Sequence, residues 1–144
     1  MRKKICNIDL DLVPIEDDGF HMMVNGKING TNIRLLIDTG ASKSVFDKNR
    51  ISAILGNSDF ESMEQLSTGL GTNTMQSEMV DIKSFSIGNI EIKESPIVIL
   101  DLSHVNESYD MIGDRGIDGV LGSDFLQYHN AVIYYKKPRL KLYY

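Results

Sequence analysis

Apolar and polar residues alternate with a period of two through the first third of this chain. Ile8, Leu10 and Leu12 alternate with Asn7, Asp9 and Asp11, and Phe20, Met22, Val24 and Ile28 continue the pattern in a second segment. That spacing gathers apolar side chains on one face of a strand and scatters them around a helix. Asn29-Gly30 then supplies a turn dipeptide that tolerates positive φ, and residues 33–37 read as the returning strand of a hairpin. Leu35, Leu36 and Ile37 are consecutive, so this strand is apolar on both faces and its end is expected to be buried. Asp38 is thereby delivered from an interior strand into the loop that follows.

The remainder extends the same architecture. Residues 44–46 read as a short strand, and Asp47 is placed to cap a short helix running to about Leu55 and ending at Gly56. Residues 62–68 and 74–87 suggest a hairpin whose tip, 68–73, is built of glycines and small polar residues. Strands are expected at 90–93 and 96–102, followed by a long polar loop over 103–116. GVLGSDFL at 119–126 reads as a strand end, a glycine turn and a short helix; AVIYY, a Lys-Lys-Pro turn and RLKLYY close the chain. Short, evenly spaced strands with one or two short helices predict a small all-β barrel or folded sheet.

Composition bounds what such a fold can do. With 144 residues, 42% of them hydrophobic, the chain has the size of one ordinary domain with a usable core. A net charge of −5 offers no footprint for nucleic acid or an anionic membrane surface. The single cysteine, Cys6, cannot form an intramolecular disulfide, and the longest aliphatic run, 97–100, is far too short to span a bilayer. The N-terminus, MRKKICNIDL, has a basic start without an apolar stretch behind it. The expectation is a cytoplasmic protein, or a periplasmic or exported one if a signal is missing from this chain.

The apolar strand ending in Asp-Thr-Gly carries the most chemistry. A bare Asp-Thr-Gly occurs by chance in roughly a few per cent of chains this long, and Asp and Gly commonly build plain tight turns. Its setting, with LLI before it, Ala-Ser after it and a glycine-rich hairpin downstream, gives it weight. A lone surface carboxylate, with a pKa near ~3.9, is ionised at neutral pH and cannot also supply a proton. Peptide hydrolysis without a metal needs a base to activate water and an acid to protonate the amide. Two carboxylates at ~4 Å repel by about 4 kcal/mol at an effective dielectric of 20, roughly three pKa units, so one of them retains a proton. The aspartic-protease dyad is the standing example of this coupling, and its titration belongs to the pair.

LLIDTGAS at 35–42, followed 80 positions later by IDGVLGSDFL at 117–126, resembles the retropepsin-like aspartic proteases, particularly their bacterial single-domain members. GLGTNTMQSEM and FSIGNIEI resemble the family's flap and the strands after it, so the likeness covers residues 20–144, with 1–19 as an N-terminal strand or extension. The resemblance implies an aspartic endopeptidase acting on peptide or protein substrates, without metal or cofactor. Because the chain holds one Asp-Thr-Gly, it also implies a homodimer. Carried onto this sequence, Asp38 is the catalytic acid, the Thr39 hydroxyl braces the two active-site loops, and Gly40 lets backbone approach closely. Ala41 matches the retroviral variant; without the hydroxyl that pepsin-like enzymes have there, activity is expected at higher pH than pepsin's. Val120, Leu121 and Gly122 would pack beneath the catalytic loop, and Gly69, Leu70, Gly71 and Thr72 would form the flap that touches substrate.

Competing readings are weaker. Sugar-kinase and actin-like ATPases also use Asp-x-Gly, but they need two large lobes, and their motif opens a hairpin where this one closes it. A catalytically idle dimerisation or peptide-binding module on the same fold is the more serious alternative, since fold does not fix function. The intact Asp-Thr-Gly favours the enzyme. Asp118 reads as a turn residue. His21, His104 and His129 lack metal-ligand spacing and read as surface or packing residues. Cys6 reads as a buried or edge thiol, and Met22, Met23, Met75 and Met79 as core filler. The tyrosines at 134, 135, 143 and 144 fit strand and interface packing, which makes RLKLYY the candidate dimer interface.

Overall fold

A computed structural model describes residues 4–17, 19–57, 60–62 and 77–144. The N-terminal alternation is divided between two sheets. β1 (Ile5–Asp9) pairs antiparallel with the last strand, β11 (Arg139–Tyr143), while β2 (Asp11–Ile15) pairs with β3 (Gly19–Ile28). Leu10, buried at the junction, still donates its N–H to Pro138 O at 3.0 Å. The apolar pattern therefore continues across a change of sheet that it does not reveal.

β3 turns into β4 (Thr31–Ile37) through Asn29 and Gly30, both at positive φ, which matches the right-handed twist of a two-residue hairpin. Met22, Val24 and Ile28 are buried as expected; Met23 is buried on the opposite face, and Phe20 is exposed. β5 is Val45–Asp47, and α1 (Lys48–Leu55) begins on Asp47, whose carboxylate accepts from Arg50 N, and ends at Gly56 in the left-handed region. β6 (Glu61–Ser62) pairs with β7 (Glu78–Ile87); the expected hairpin tip at 68–73 lies outside the described residues.

Two expectations are corrected here. The strands foreseen at 90–93 and 96–102 are one strand, β8 (Ile90–Leu100). Glu94 takes φ 49, yet the pairing with β7 resumes in the same register, Ser84 with Lys93 and Ile82 with Ser95. Pro96 is tolerated because β5 meets β8 only at Ile99 and Leu100. The loop foreseen over 103–116 contains a helix, α2 (Ser103–Met111), so the described residues hold three helices. Only Tyr109 is buried on α2, which leaves too little apolar periodicity to signal a helix.

β9 is Gly119–Leu121, α3 is Ser123–Tyr128 and β10 is Val132–Tyr134. The larger sheet runs β2-β3-β4-β9-β5-β8-β7-β6, and an extra β3–β7 pairing closes its middle into a barrel. β1-β11-β10 form the smaller sheet, so β11 has both of its edges occupied by strands of its own chain. The main core includes Leu35, Phe46, Ile99 and Leu121 inside the barrel and reaches Leu140 and Leu142 of β11. A second cluster, Met23, Leu102, Tyr109, Ile117 and Val120, packs α2 against the face of β4 and β9.

Candidate active site

The position of Asp38 follows from one feature of the topology. β9 lies between β4 and β5, parallel to the first (Leu36 beside Val120) and antiparallel to the second (Val45 beside Val120). The 38–44 loop that joins β4 to β5 must therefore cross the end of β9. Asp38 N donates to Leu121 O at 3.1 Å, and Ser123 N donates to Ala41 O at 2.7 Å. The Ser44 hydroxyl accepts from Gly122 N at 2.9 Å and donates to Asp124 Oδ1 at 2.7 Å, while Ser44 N donates to Asp124 Oδ2 at 3.1 Å.

Gly122 is the contact point of this crossing. A Cβ there would sit 2.8 Å from Ala41 O and from the Lys43 backbone, and backbone has no rotamer with which to yield. Val120 and Leu121 are buried on either side of β9 beneath the loop. The Val120-Leu121-Gly122 segment thus runs beneath the 38–44 loop.

Within the loop, Asp38 is half-buried and Thr39 and Gly40 are exposed. Asp38 Oδ1 accepts from Gly40 N at 2.9 Å, and Ala41 N donates to Asp38 O at 3.1 Å. Neither Asp38 Oδ2 nor the Thr39 hydroxyl takes a hydrogen bond from a described residue. The carboxylate is thus fixed along one edge and open along the other. Gly69, Leu70, Gly71 and Thr72 lie outside the described residues.

Asp118 stands apart from this loop. It lies beside Arg34 at the other end of β9, roughly 13 Å down the strand from Asp38 at ~3.3 Å per residue. Its Oδ2 accepts from Arg34 N at 2.8 Å, and its Oδ1 lies 3.5 Å from Arg50 Nη1.

Sequence reasoning missed residues that distant parts of the chain bring to Leu36 and to Ser44, at either side of the Asp38 loop. Leu36, two residues earlier and on the same face of β4, lines a cavity of about 470 Å³ together with Ile15, His21, Tyr109, Met111 and Ile112. His21 Nδ1 and the Tyr109 hydroxyl share a hydrogen bond of 2.7 Å across it. Burial pushes the Tyr109 phenol up to about 12; the Asp114 and Asp38 carboxylates add to the rise and Arg34 opposes it. Asp124 is a second unforeseen member. Burial pulls its carboxyl upward, but hydrogen bonds from Ser44 N, Ser44 Oγ and Phe125 N outweigh that and hold it below the usual range. No local pattern marks Ser44 and Asp124 as partners, since they are 80 positions apart.

A family model described as aspartyl protease matches residues 24–125, most of the chain and the whole of the crossing just described. The chain belongs to the aspartyl protease family. Its fold is that of the retropepsin-like members. It is similar to a retropepsin-like aspartic protease from Rickettsia conorii, with TM-score 0.58 and 20% identity over 98% of this chain and 91% of that one. It is also similar to the retroviral protease-like domain of Ddi1 from Leishmania major, with TM-score 0.51 and 15% identity over 81% and 82% of the two chains. No curated protein sequence matches it. Among the described residues, no helix is long and apolar enough to cross a membrane.

Proposed function

We propose that this aspartyl-protease-family chain is an endopeptidase that works as a homodimer, with one Asp38 from each copy sharing a proton. The observation that carries this reading is the Asp38 carboxylate itself. It is held by Gly40 N–H on one oxygen, takes no bond from the described residues on the other, and is presented by an exposed Thr39-Gly40 turn on a braced crossing. One such site supplies one carboxylate, and Asp118, bonded to Arg34 N at the far end of β9, is not placed to be the second.

Two copies of the loop brought face to face would complete the chemistry. The ionised Asp38 takes a proton from a water held between the two, and the protonated Asp38 donates to the substrate carbonyl oxygen as the water attacks. The newly protonated Asp38 then gives its proton to the amide nitrogen as the C–N bond breaks. The other Asp38 takes a proton from a hydroxyl of the tetrahedral intermediate as the carboxyl product forms, and the pair again holds one shared proton. Thr39, exposed beside the carboxylate, is assigned to bracing one loop against the other, and Gly40 to the close approach of backbone. Ala41, Val120, Leu121 and Gly122 are assigned to holding the loop's shape, and Gly69, Leu70, Gly71 and Thr72 to contacting substrate. With both edges of β11 occupied, a second copy would join at an outer edge or face of the terminal sheet, or by exchanging β1.

The test compares wild type, Asp38→Asn and their mixture on a peptide library between acidic and neutral pH. Cleavage is expected from wild type and absent from the variant. Excess variant should suppress wild-type activity below simple dilution, because mixed dimers hold one carboxylate. Cleavage by Asp38→Asn alone would sink the mechanism. An inactive, folded, monomeric wild type would favour the binding-module alternative.

A further inference from the structure

At the opposite end of β4 and β9 from Asp38, three arginines converge on a polar cavity of about 500 Å³. Arg34 comes from β4, Arg50 from α1 and Arg115 from the segment after α2; Asn25 and Asn32 of the β3–β4 hairpin complete the near wall. Such a gathering is unexpected in a chain of net charge −5, because like charges repel unless something offsets them.

The carboxylates nearby only partly do so. Arg34 is buried and forms a fork on Asp114, Nη1 to Oδ2 at 2.6 Å and Nη2 to Oδ1 at 3.2 Å, with Nη1 also donating to Gly116 O at 3.0 Å. The guanidinium beside Asp114 holds that carboxyl below its usual range, and the two charges cancel. Arg34 Nε is a buried donor without an acceptor among the described residues. Arg50 donates from Nη2 to Arg115 O at 2.7 Å and reaches Asp118 only at 3.5 Å. Arg115 is exposed, and its guanidinium takes no partner among the described residues; nor do the Asn25 and Asn32 amides. Three guanidiniums against two carboxylates leave one positive charge and a surplus of N–H donors facing the cavity.

We propose that this cavity binds a small phosphate-bearing anion, with Arg115 as its principal ligand and Arg50, Asn25 and Asn32 as supporting donors. Guanidinium forks match the oxygens of a tetrahedral anion in pairs, and donors on several walls suit a tetrahedral group better than a planar carboxylate. The volume exceeds that of phosphate alone and has the size of a small-molecule site, so a phosphate monoester fits better than the bare ion. The Asp118 carboxylate in the wall opposes any anion, which directs the ligand toward Arg115 and away from Arg34. The site is independent of the peptidase reading.

Calorimetric titration with inorganic phosphate and with glycerol phosphate, at ionic strength held constant with chloride, tests the proposal. Saturable binding is expected, tighter for the ester. Arg115→Ala should weaken it by about tenfold or more, the loss of one charge-assisted pair, and Arg115→Lys by less. Asn25→Ala provides a second reading at an exposed position that leaves the ion pairs intact. Equal binding by wild type and a folded Arg115→Ala would overturn the assignment. So would a response to chloride or acetate that matches the response to phosphate.

Discussion

Gly122 and Asp47 are two residues on which the candidate site depends without supplying its chemistry. At Gly122 an added methyl would meet the backbone of residues 41 and 43 at 2.8 Å, so the loop bearing Asp38 would have to move. Gly122→Ala is expected to cost about 1–3 kcal/mol in urea unfolding and to depress peptide cleavage more than stability alone explains. Unchanged cleavage would mean that the loop accommodates the methyl group freely. Asp47, 2% exposed, serves two elements at once: Oδ2 accepts from Arg50 N at 3.0 Å to cap α1, and Oδ1 accepts from Leu102 N at 2.8 Å ahead of α2. Asp47→Ala removes a helix cap and leaves a buried N–H unpaired, for an expected loss of about 2–4 kcal/mol. A loss near that of an ordinary surface substitution would show that neither bond matters.

At the scale of elements, α2 walls the cavity lined by Leu36, and its Tyr109 lies near enough to Asp38 to feel that charge. It is held through Tyr109, which is buried against Met23, Ile117 and Val120 and hydrogen-bonded to His21 of β3. Its C-terminal end is tied to β4 through Asp114, whose N–H donates to Tyr109 O and whose carboxylate takes the Arg34 fork. The raised phenol gives this packing a pH signature. Folded-state protonation up to about 12, against an ordinary 10.0, means its contribution is complete below pH 10 and is lost as pH rises through 12. Wild type is therefore expected to lose more stability between pH 8 and pH 11 than Tyr109→Phe, read as the shift in denaturant midpoint. Parallel losses in the two proteins would place the alkaline sensitivity in other groups. On the acid side the sign reverses. The Asp114 contribution is complete above its ordinary value of 3.8 and fades as pH falls below it.

At the scale of the whole molecule, one Asp38 per chain makes the proposed activity a property of assembly. Specific activity is expected to fall on dilution as the dimer dissociates, in step with a shift to the monomer in size-exclusion elution. Constant specific activity down to concentrations at which only monomer elutes would separate cleavage from dimerisation. The terminal sheet shapes this expectation. RLKLYY, the interface that apolar and aromatic content suggests, forms a central strand with β1 on one side and β10 on the other. Leu140 and Leu142 are fully buried within the chain, so only the alternate face and the outer strands are free to meet a second copy.

Local chemistry made much of this protein legible in its sequence. The Asn29-Gly30 hairpin, the Asp47 cap and Gly56 stop of α1, the strand–glycine–helix order of 119–126 and the exposed turn after Ile37 each depend on neighbours within a few residues. Features that depend on distant partners stayed hidden. The alternation through Leu10 says nothing of a change of sheet, because both sheets bury the same face. Helix α2 has too few apolar residues to announce itself and is stabilised by contacts to β3, β4 and the Arg34–Asp114 pair. The insertion of β9 between β4 and β5 brings Gly122, Ser44 and Asp124 to the loop of Asp38 across about 80 residues. The sequence determined by itself that an acid in a tight turn follows a buried strand. Only the tertiary structure decided what braces that acid and what lies beside it, because hydrogen bonds and close contacts between strands remote in sequence leave no local periodicity to read.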